Sequence, residues 1–302
     1  MSVTTRLDDA RFKTPKLDRV GAVLAVTIDN PRSAVNAVDA EMHDEIIDLI
    51  RGLRLERDAR AVVLQGSKQA FSAGGDPDFV ARDVTKLPRE HTRIATKQML
   101  WDFVDLELPV VAAINGQARG LLGSLALLSD AVFMARTATI ADFHVLQGVA
   151  AGDGGTAIWP LLVGPALAKR YLLTGDPVNA AEALRIGLAT HVVADDQLHE
   201  EAMAFATRLA AGASLAVRYT KLAINKLVKD ALNMALRRRT RLRDRGVLQR
   251  RLPRDRHGRT GKPRTPVPRG LSGPADSGGT YELVRHGCVG RRRRPSRADA
   301  RR

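Results

Sequence analysis

Residues 70–79 read AFSAGGDPDF: a short apolar strand runs into two adjacent glycines, and an aspartate follows at once. Phe71 is a natural core plug. Gly74 and Gly75 permit backbone torsions, and a closeness of approach by a ligand, that a Cβ would block. The expected product is a set of N–H groups open to a ligand. Just upstream, AVVLQG (61–66) reads as a strand, rich in β-branched residues and ended by glycine. Working outward, GAVLAVTI (21–28), VVAAING (110–116) and AVFMA (131–135) are further strands of this kind, with helical stretches between them. In the stretch 39–56, Ile46, Leu49, Ile50 and Leu53 recur at i, i+3, i+4 and i+7, and Asp39 stands ready as a cap before Met42. Strands alternating with amphipathic helices predict an α/β fold.

A second loop has the same character. In NGQARGLLGSLALLSD (115–130) a strand ends at Asn115-Gly116 and an apolar helix begins near Gly120. The first turn of a helix carries unpaired N–H groups and the positive end of the macrodipole, so it can hold a carbonyl oxygen that becomes anionic during reaction. Two such loops together can form an oxyanion hole. Nucleoside triphosphate chemistry is disfavoured, because the chain has neither GxxxxGK[ST] nor a strand-GxGxxG-helix unit.

With 302 residues, 44% of them apolar, the chain can fill a sizeable core. It has no run of eighteen apolar residues, and MSVTTRLDDARFK at its start lacks an apolar signal segment, so a soluble cytoplasmic protein is expected. A single cysteine, Cys288, leaves no disulfide and no cysteine-rich metal site to build. The net charge of +15 is confined to one end: residues 237–302 hold 21 Arg and one Lys against five acidic residues, whereas residues 1–236 are nearly neutral. That segment, rich in Arg, Gly and Pro, has no Phe or Trp and no apolar period, which predicts a disordered basic tail. Arginines could contact phosphates of nucleic acid or of a membrane surface. The segment lacks interleaved aromatics and repeats, however, so no nucleic-acid or membrane partner is expected. The favoured reading is a shifted reading frame, since the helical pattern RYTKLAINKLVKDALNMAL breaks off at RRRTRLRDRG.

AFSAGGD, LPVVAAING, ALLSDAVFMARTATI, GDGGT, LLTGD and AEALRIGLATHVV, in this order and spacing, resemble the enoyl-CoA hydratase/isomerase, or crotonase, superfamily over about residues 16–236. The resemblance implies a spiral of ββα repeats with C-terminal helices, assembled as trimers or hexamers. It also implies an acyl-CoA substrate, with no metal and no cofactor beyond the coenzyme A of that substrate. Gly75 N–H and Leu121 N–H fall where the family places its oxyanion donors, with Ala73, Gly74, Asp76 and Gly120 beside them. Arg32, Ser33 and Val35 fall where coenzyme A passes. The family's two catalytic glutamates are replaced here, the first by Ser124 and the second by His144. A serine hydroxyl positions water but does not readily deprotonate it, whereas a histidine is suited to general acid/base work. Asp153, nine residues on, either brings a carboxylate to the pocket or caps a helix starting at Thr156. Arg119, where the family usually has small or glycine-rich residues, either contacts coenzyme A phosphates, points to solvent or belongs to a local sequence error. The expected reaction is reversible hydration of trans-2-enoyl-CoA thioesters. The alternatives are a double-bond isomerase, another acyl-CoA reaction of this family, or an acyl-CoA-binding protein without catalysis.

Overall fold

The structure, a computed structural model, describes residues 7–67, 69–80 and 89–246. Its framework is a six-stranded sheet, with strands in the order 15–20, 23–28, 61–66, 110–114, 131–135 and 191–193, beside a four-stranded sheet in the order 70–72, 117–119, 139–141 and 178–179. Strands β3 (Ala61–Gly66), β5 (Val110–Ile114) and β7 (Ala131–Ala135) run parallel in the large sheet. Each is followed within a few residues by a short strand of the small sheet: β4 (Ala70–Ser72), β6 (Gln117–Arg119) and β8 (Thr139–Ala141) respectively, again in parallel. The repeat is therefore strand, strand, helix. β5 and β7 are buried at every residue, as strands covered on both faces must be, and this explains their unbroken apolar sequence.

At one edge, β1 (Pro15–Val20) forms an antiparallel hairpin with β2 (Val23–Ile28). The sequence pattern did not reveal β1, whose alternating Lys16, Asp18 and Val20 lie on its exposed face. At the other ends lie β9 (Val178–Asn179), antiparallel to β8, and β10 (His191–Val193), parallel to β7. Helix α1 (Ala40–Leu55) buries Met42, Ile46, Leu49, Ile50 and Leu53, and Asp39 accepts a hydrogen bond from Met42 N–H (2.9 Å) as the sequence predicts. Helices α2 (Arg89–Val104), α3 (Gly120–Leu127) and α4 (Gly155–Thr174) complete the repeats. They are followed by α5 (Ala180–Ile186), α6 (Leu198–Ala211) and the long α7 (Ser214–Gly246).

Three polar side chains of α7 strap it to the segment leading into β5 and, in one case, to Asp130 just before β7. Lys221 Nζ donates to Leu108 O (2.7 Å) and pairs with Asp130 (2.8 Å), Asn225 donates to Val104 O (2.8 Å), and Lys229 pairs with Asp105. The expected tail boundary at residue 237 falls inside this helix, which continues to Gly246. Arginine is among the better helix formers, so RRRTRLRDRG can extend the preceding turns. The remaining basic residues, 247–302, lie outside the described residues. Among the described residues, no helix is long and apolar enough to cross a membrane.

Candidate active site

The two glycine-containing loops converge on one cavity of about 160 Å³. Its wall includes Ala73, Gly74 and Gly75 from the loop after β4, and Arg119, Gly120 and Leu121 from the junction of β6 and α3. His144 and Asp153 face it from the loops beyond β8. The first loop is held by a buried polar network. Asn36, at φ +52°, a left-handed conformation asparagine tolerates better than most residues, donates to Ile28 O (3.0 Å) and Ala70 O (2.9 Å). Ser72 Oγ donates to Asn36 O (2.8 Å) and accepts from Gly74 N–H (3.1 Å). Val38 then pairs with Gly75 in a parallel bridge, through Val38 N–H to Gly74 O and Asp76 N–H to Val38 O, both 2.8 Å. In such a bridge the bonds are made by the neighbours of the central residue, so the N–H of Gly75 points away from Val38.

On the second loop, Arg119 is the N-cap of α3 and makes no side-chain cap, so the first N–H groups of the helix, including that of Leu121, keep their donors. Gly120 has φ +57°, and a Cβ there would lie 3.5 Å from Gly74 Cα, 3.9 Å from Gly75 N and 3.7 Å from Asp153 Oδ2. One small space therefore touches a candidate oxyanion donor and a carboxylate together.

That carboxylate belongs to a triad of two buried aspartates and a half-buried histidine. His144 Nδ1 lies 2.6 Å from Asp142 Oδ1, and His144 Nε2 lies 3.4 Å from Asp153 Oδ2. Burial opposes a charge on the imidazole, but Asp153 and then Asp142 outweigh it, and the pKa of His144 is raised from 6.5 to about 10. At neutral pH the group is an imidazolium between two carboxylates. The GDGGT motif makes the arrangement possible. Gly154 adopts φ +105°, which turns the chain between Asp153 and the helix, and a Cβ on Gly155 would overlap Asp142 Oδ2. Asp153 does not take the expected capping role: α4 starts at Gly155 with Gly154 as N-cap and no side-chain cap, and the carboxylate turns to His144 instead.

Asp142, His144 and Asp153 also place three potential metal-ligand atoms within 4.8 Å of one another. With each ring nitrogen giving its proton to a different carboxylate, the imidazole has no lone pair to offer a cation. The donor set fits proton sharing better than metal binding.

The remaining expected positions divide. Ser124 is buried in α3 and does not line the cavity. Asp76 caps the helical turn 77–80, accepting from the N–H groups of Asp78 and Phe79 (both 3.0 Å). Arg32 is paired with Asp39 (2.8 Å) and Glu41 (2.8 Å), Ser33 Oγ accepts from Ala37 N–H (2.9 Å), and Val35 O accepts from Ala73 N–H (2.9 Å). These three residues form the loop outside the cavity wall that leads to Val38. Among the cavity residues that escaped the sequence reading, two carry rings that shape the site. His43, buried on α1, faces Thr96 Oγ1 (2.9 Å) and Phe79 (ring centroids 5.8 Å), and Phe143 lies beneath the guanidinium of Arg119, 4.1 Å from its ring centroid. A histidine on an apolar helical face reads as core, and nothing local pairs residue 119 with 143.

Comparison with known proteins shows the family. Residues 18–250 match the family model described as enoyl-CoA hydratase/isomerase. The chain is 34% identical over 215 residues to a crotonyl-CoA hydratase of Syntrophomonas wolfei, covering 70% of this chain and 82% of that protein. It is 31% identical over 221 residues to a short-chain-enoyl-CoA hydratase of Clostridium acetobutylicum, covering 73% and 84%. The crystal structure of an enoyl-CoA hydratase/isomerase from Mycobacterium paratuberculosis superposes with a TM-score of 0.74 at 34% identity, over 78% of this chain and 94% of that one. With its two-sheet spiral, its paired glycine loops and these matches, the chain belongs to the enoyl-CoA hydratase/isomerase, or crotonase, family.

Proposed function

We propose that this protein catalyses reversible addition of water to a trans-2-enoyl-CoA thioester, with an imidazolium–carboxylate pair in place of two glutamates. The observation that carries the reading is the convergence of Gly75, Leu121, His144 and Asp153 on one cavity. The thioester oxygen accepts hydrogen bonds from the N–H groups of Gly75 and Leu121, which stabilise the negative charge it gains when water attacks Cβ. His144 is already protonated at neutral pH, so the base is the Asp153 carboxylate, which takes a proton from the attacking water. His144 delivers its own proton to Cα. The proton now on Asp153 then returns to His144 across their 3.4 Å contact, and the pair is reset with one water consumed.

Coenzyme A enters with the substrate and needs no resident cofactor. Arg32, Ser33 and Val35, on the loop leading to Val38, are our candidates for contacts with its adenine and phosphate end. Exposed Leu215, Tyr219, Ile224, Leu227 and Met234 on α7 form an apolar surface that supports assembly with further copies of the chain, as trimers or hexamers.

The test is to incubate purified protein with crotonyl-CoA in heavy-oxygen water and follow loss of the conjugated thioester's ultraviolet absorbance. Hydration puts the label in a 3-hydroxyacyl product. A shifted double bond without label would make the protein an isomerase, and tight thioester binding without any turnover would make it a binding protein.

A further inference from the structure

Arg119 places a cation in the cavity wall where an aliphatic acyl chain has no use for one. Its neighbours in the chain are Gly120 and Leu121, so its guanidinium is one side chain's reach from the candidate thioester site. It lies 4.1 Å above the ring of Phe143, the residue preceding His144. Several other arginines of the domain have acidic partners, such as Arg19 with Glu56 (2.6 Å), Arg54 with Asp102 (2.5 Å) and Arg185 with Glu182 (2.6 Å), and Arg11, Arg170 and Arg208, which also lie over rings, are exposed to water. Arg119 has none among the described residues, and its Nε is shut off from solvent without a hydrogen-bond acceptor. Burial alone pulls its pKa down, with no acid close enough to oppose the shift.

The nearest carboxylate in the cavity wall, Asp153, is committed to His144. A partly desolvated guanidinium that rests only on a ring face is a costly arrangement unless a bound group completes it. The group that matches its planar fork is a carboxylate or a phosphate. Coenzyme A phosphates are separated from the thioester by the whole pantetheine arm, whereas Arg119 adjoins the thioester donors and reaches toward Phe143 and His144, at the reacting end.

Resting on the acyl-CoA reading above, we propose that the acyl group itself carries a carboxylate, and that Arg119 binds it against Phe143, making the preferred substrates ω-carboxyacyl-CoA thioesters. The test separates this from both catalysis and phosphate binding, because it uses unreactive saturated ligands. Glutaryl-CoA, butyryl-CoA and free coenzyme A are titrated calorimetrically into the full chain and into R119L and R119K. Glutaryl-CoA is expected to bind at least about tenfold tighter than butyryl-CoA, the gain of one charge-assisted pair. That ratio should fall to near one in R119L and be partly kept in R119K, where the charge remains without the fork.

Equal affinity of the parent protein for both thioesters would overturn the proposal alone. So would a loss in R119L shared equally by glutaryl-CoA, butyryl-CoA and free coenzyme A, which would assign Arg119 to the phosphates. Failure of the folded parent to bind any coenzyme A species would overturn the acyl-CoA reading itself, and this inference with it.

Discussion

The protonation state of His144 is the quantity on which the mechanism turns, and one substitution tests it. A rise in pKa from 6.5 to about 10 is worth roughly 5 kcal/mol of preference for the imidazolium in the folded state, at about 1.4 kcal/mol per tenfold change. Two carboxylates supply it against burial, so replacing Asp153 with Asn should remove on the order of 2 kcal/mol and lower the midpoint by about one to two pH units. The sign for stability follows from the raised value. The contribution is whole below the unfolded histidine's pKa near 6.5 and is lost as pH rises through about 10. Protein labelled at histidine Cε1 gives a proton–carbon signal for each of the seven histidines, and H144Q identifies the relevant one. The parent signal should titrate near 10 and that of D153N clearly lower, with urea unfolding showing the parent's advantage over D153N shrinking above pH 9. A parent midpoint below 7 would refute the reasoning, because His144 would then be neutral in use and Asp153 would lose its claim as the base.

Other consequences are simpler to read. H144A should lower kcat by about 10²–10⁴, the usual worth of a positioned proton donor, and activity within a factor of two of the parent would remove His144 from the reaction. Gly120→Ala forces a Cβ into φ +57° and onto the space beside Gly75 N. It should cost about 1–2 kcal/mol in thermal unfolding but at least about 10² in kcat/KM, and a loss in stability alone would show that the space is not the thioester's. Gly155→Ala drives a methyl into Asp142, so calorimetry should find about 1–3 kcal/mol of destabilisation together with a lowered His144 midpoint. Lys221→Met removes the bonds of the buried ammonium to Leu108 O and to Asp130, which is itself exposed, and should cost about 1–2 kcal/mol by urea titration, with little change in substrate KM.

The parts of this molecule that could be read from sequence are those governed by local rules. Strands β3 and β7 fall where their apolar runs do, and the helix capped by Asp39 begins where its side chain can accept from Met42. The glycine loops advertise exposed backbone because few other residues permit it. What stayed hidden depends on distant partners. Asp142 gave no signal, yet it holds His144 Nδ1, and the reading of Asp153 as a helix cap failed because a buried imidazolium is a stronger attraction than an N-terminal turn. The stack of Arg119 on Phe143 joins the end of one strand to the loop beyond its neighbour, which no periodicity encodes. The segment after residue 236 reads as a tail from its charge, its Gly and Pro content and its lack of an apolar period, yet helix propensity carries the backbone on to Gly246.

The triad also constrains how such a site could have arisen or could be rebuilt. Asp142, His144 and Asp153 hold their polar atoms within 4.8 Å of one another, with the histidine as the one cation among them. Exchanging His144 for the glutamate that the family resemblance places there would crowd three carboxylates into that volume, and at least one would have to stay protonated. That exchange is thus costly while Asp142 and Asp153 both remain as carboxylates, and it becomes easier once one of the two aspartates has been replaced by a neutral residue.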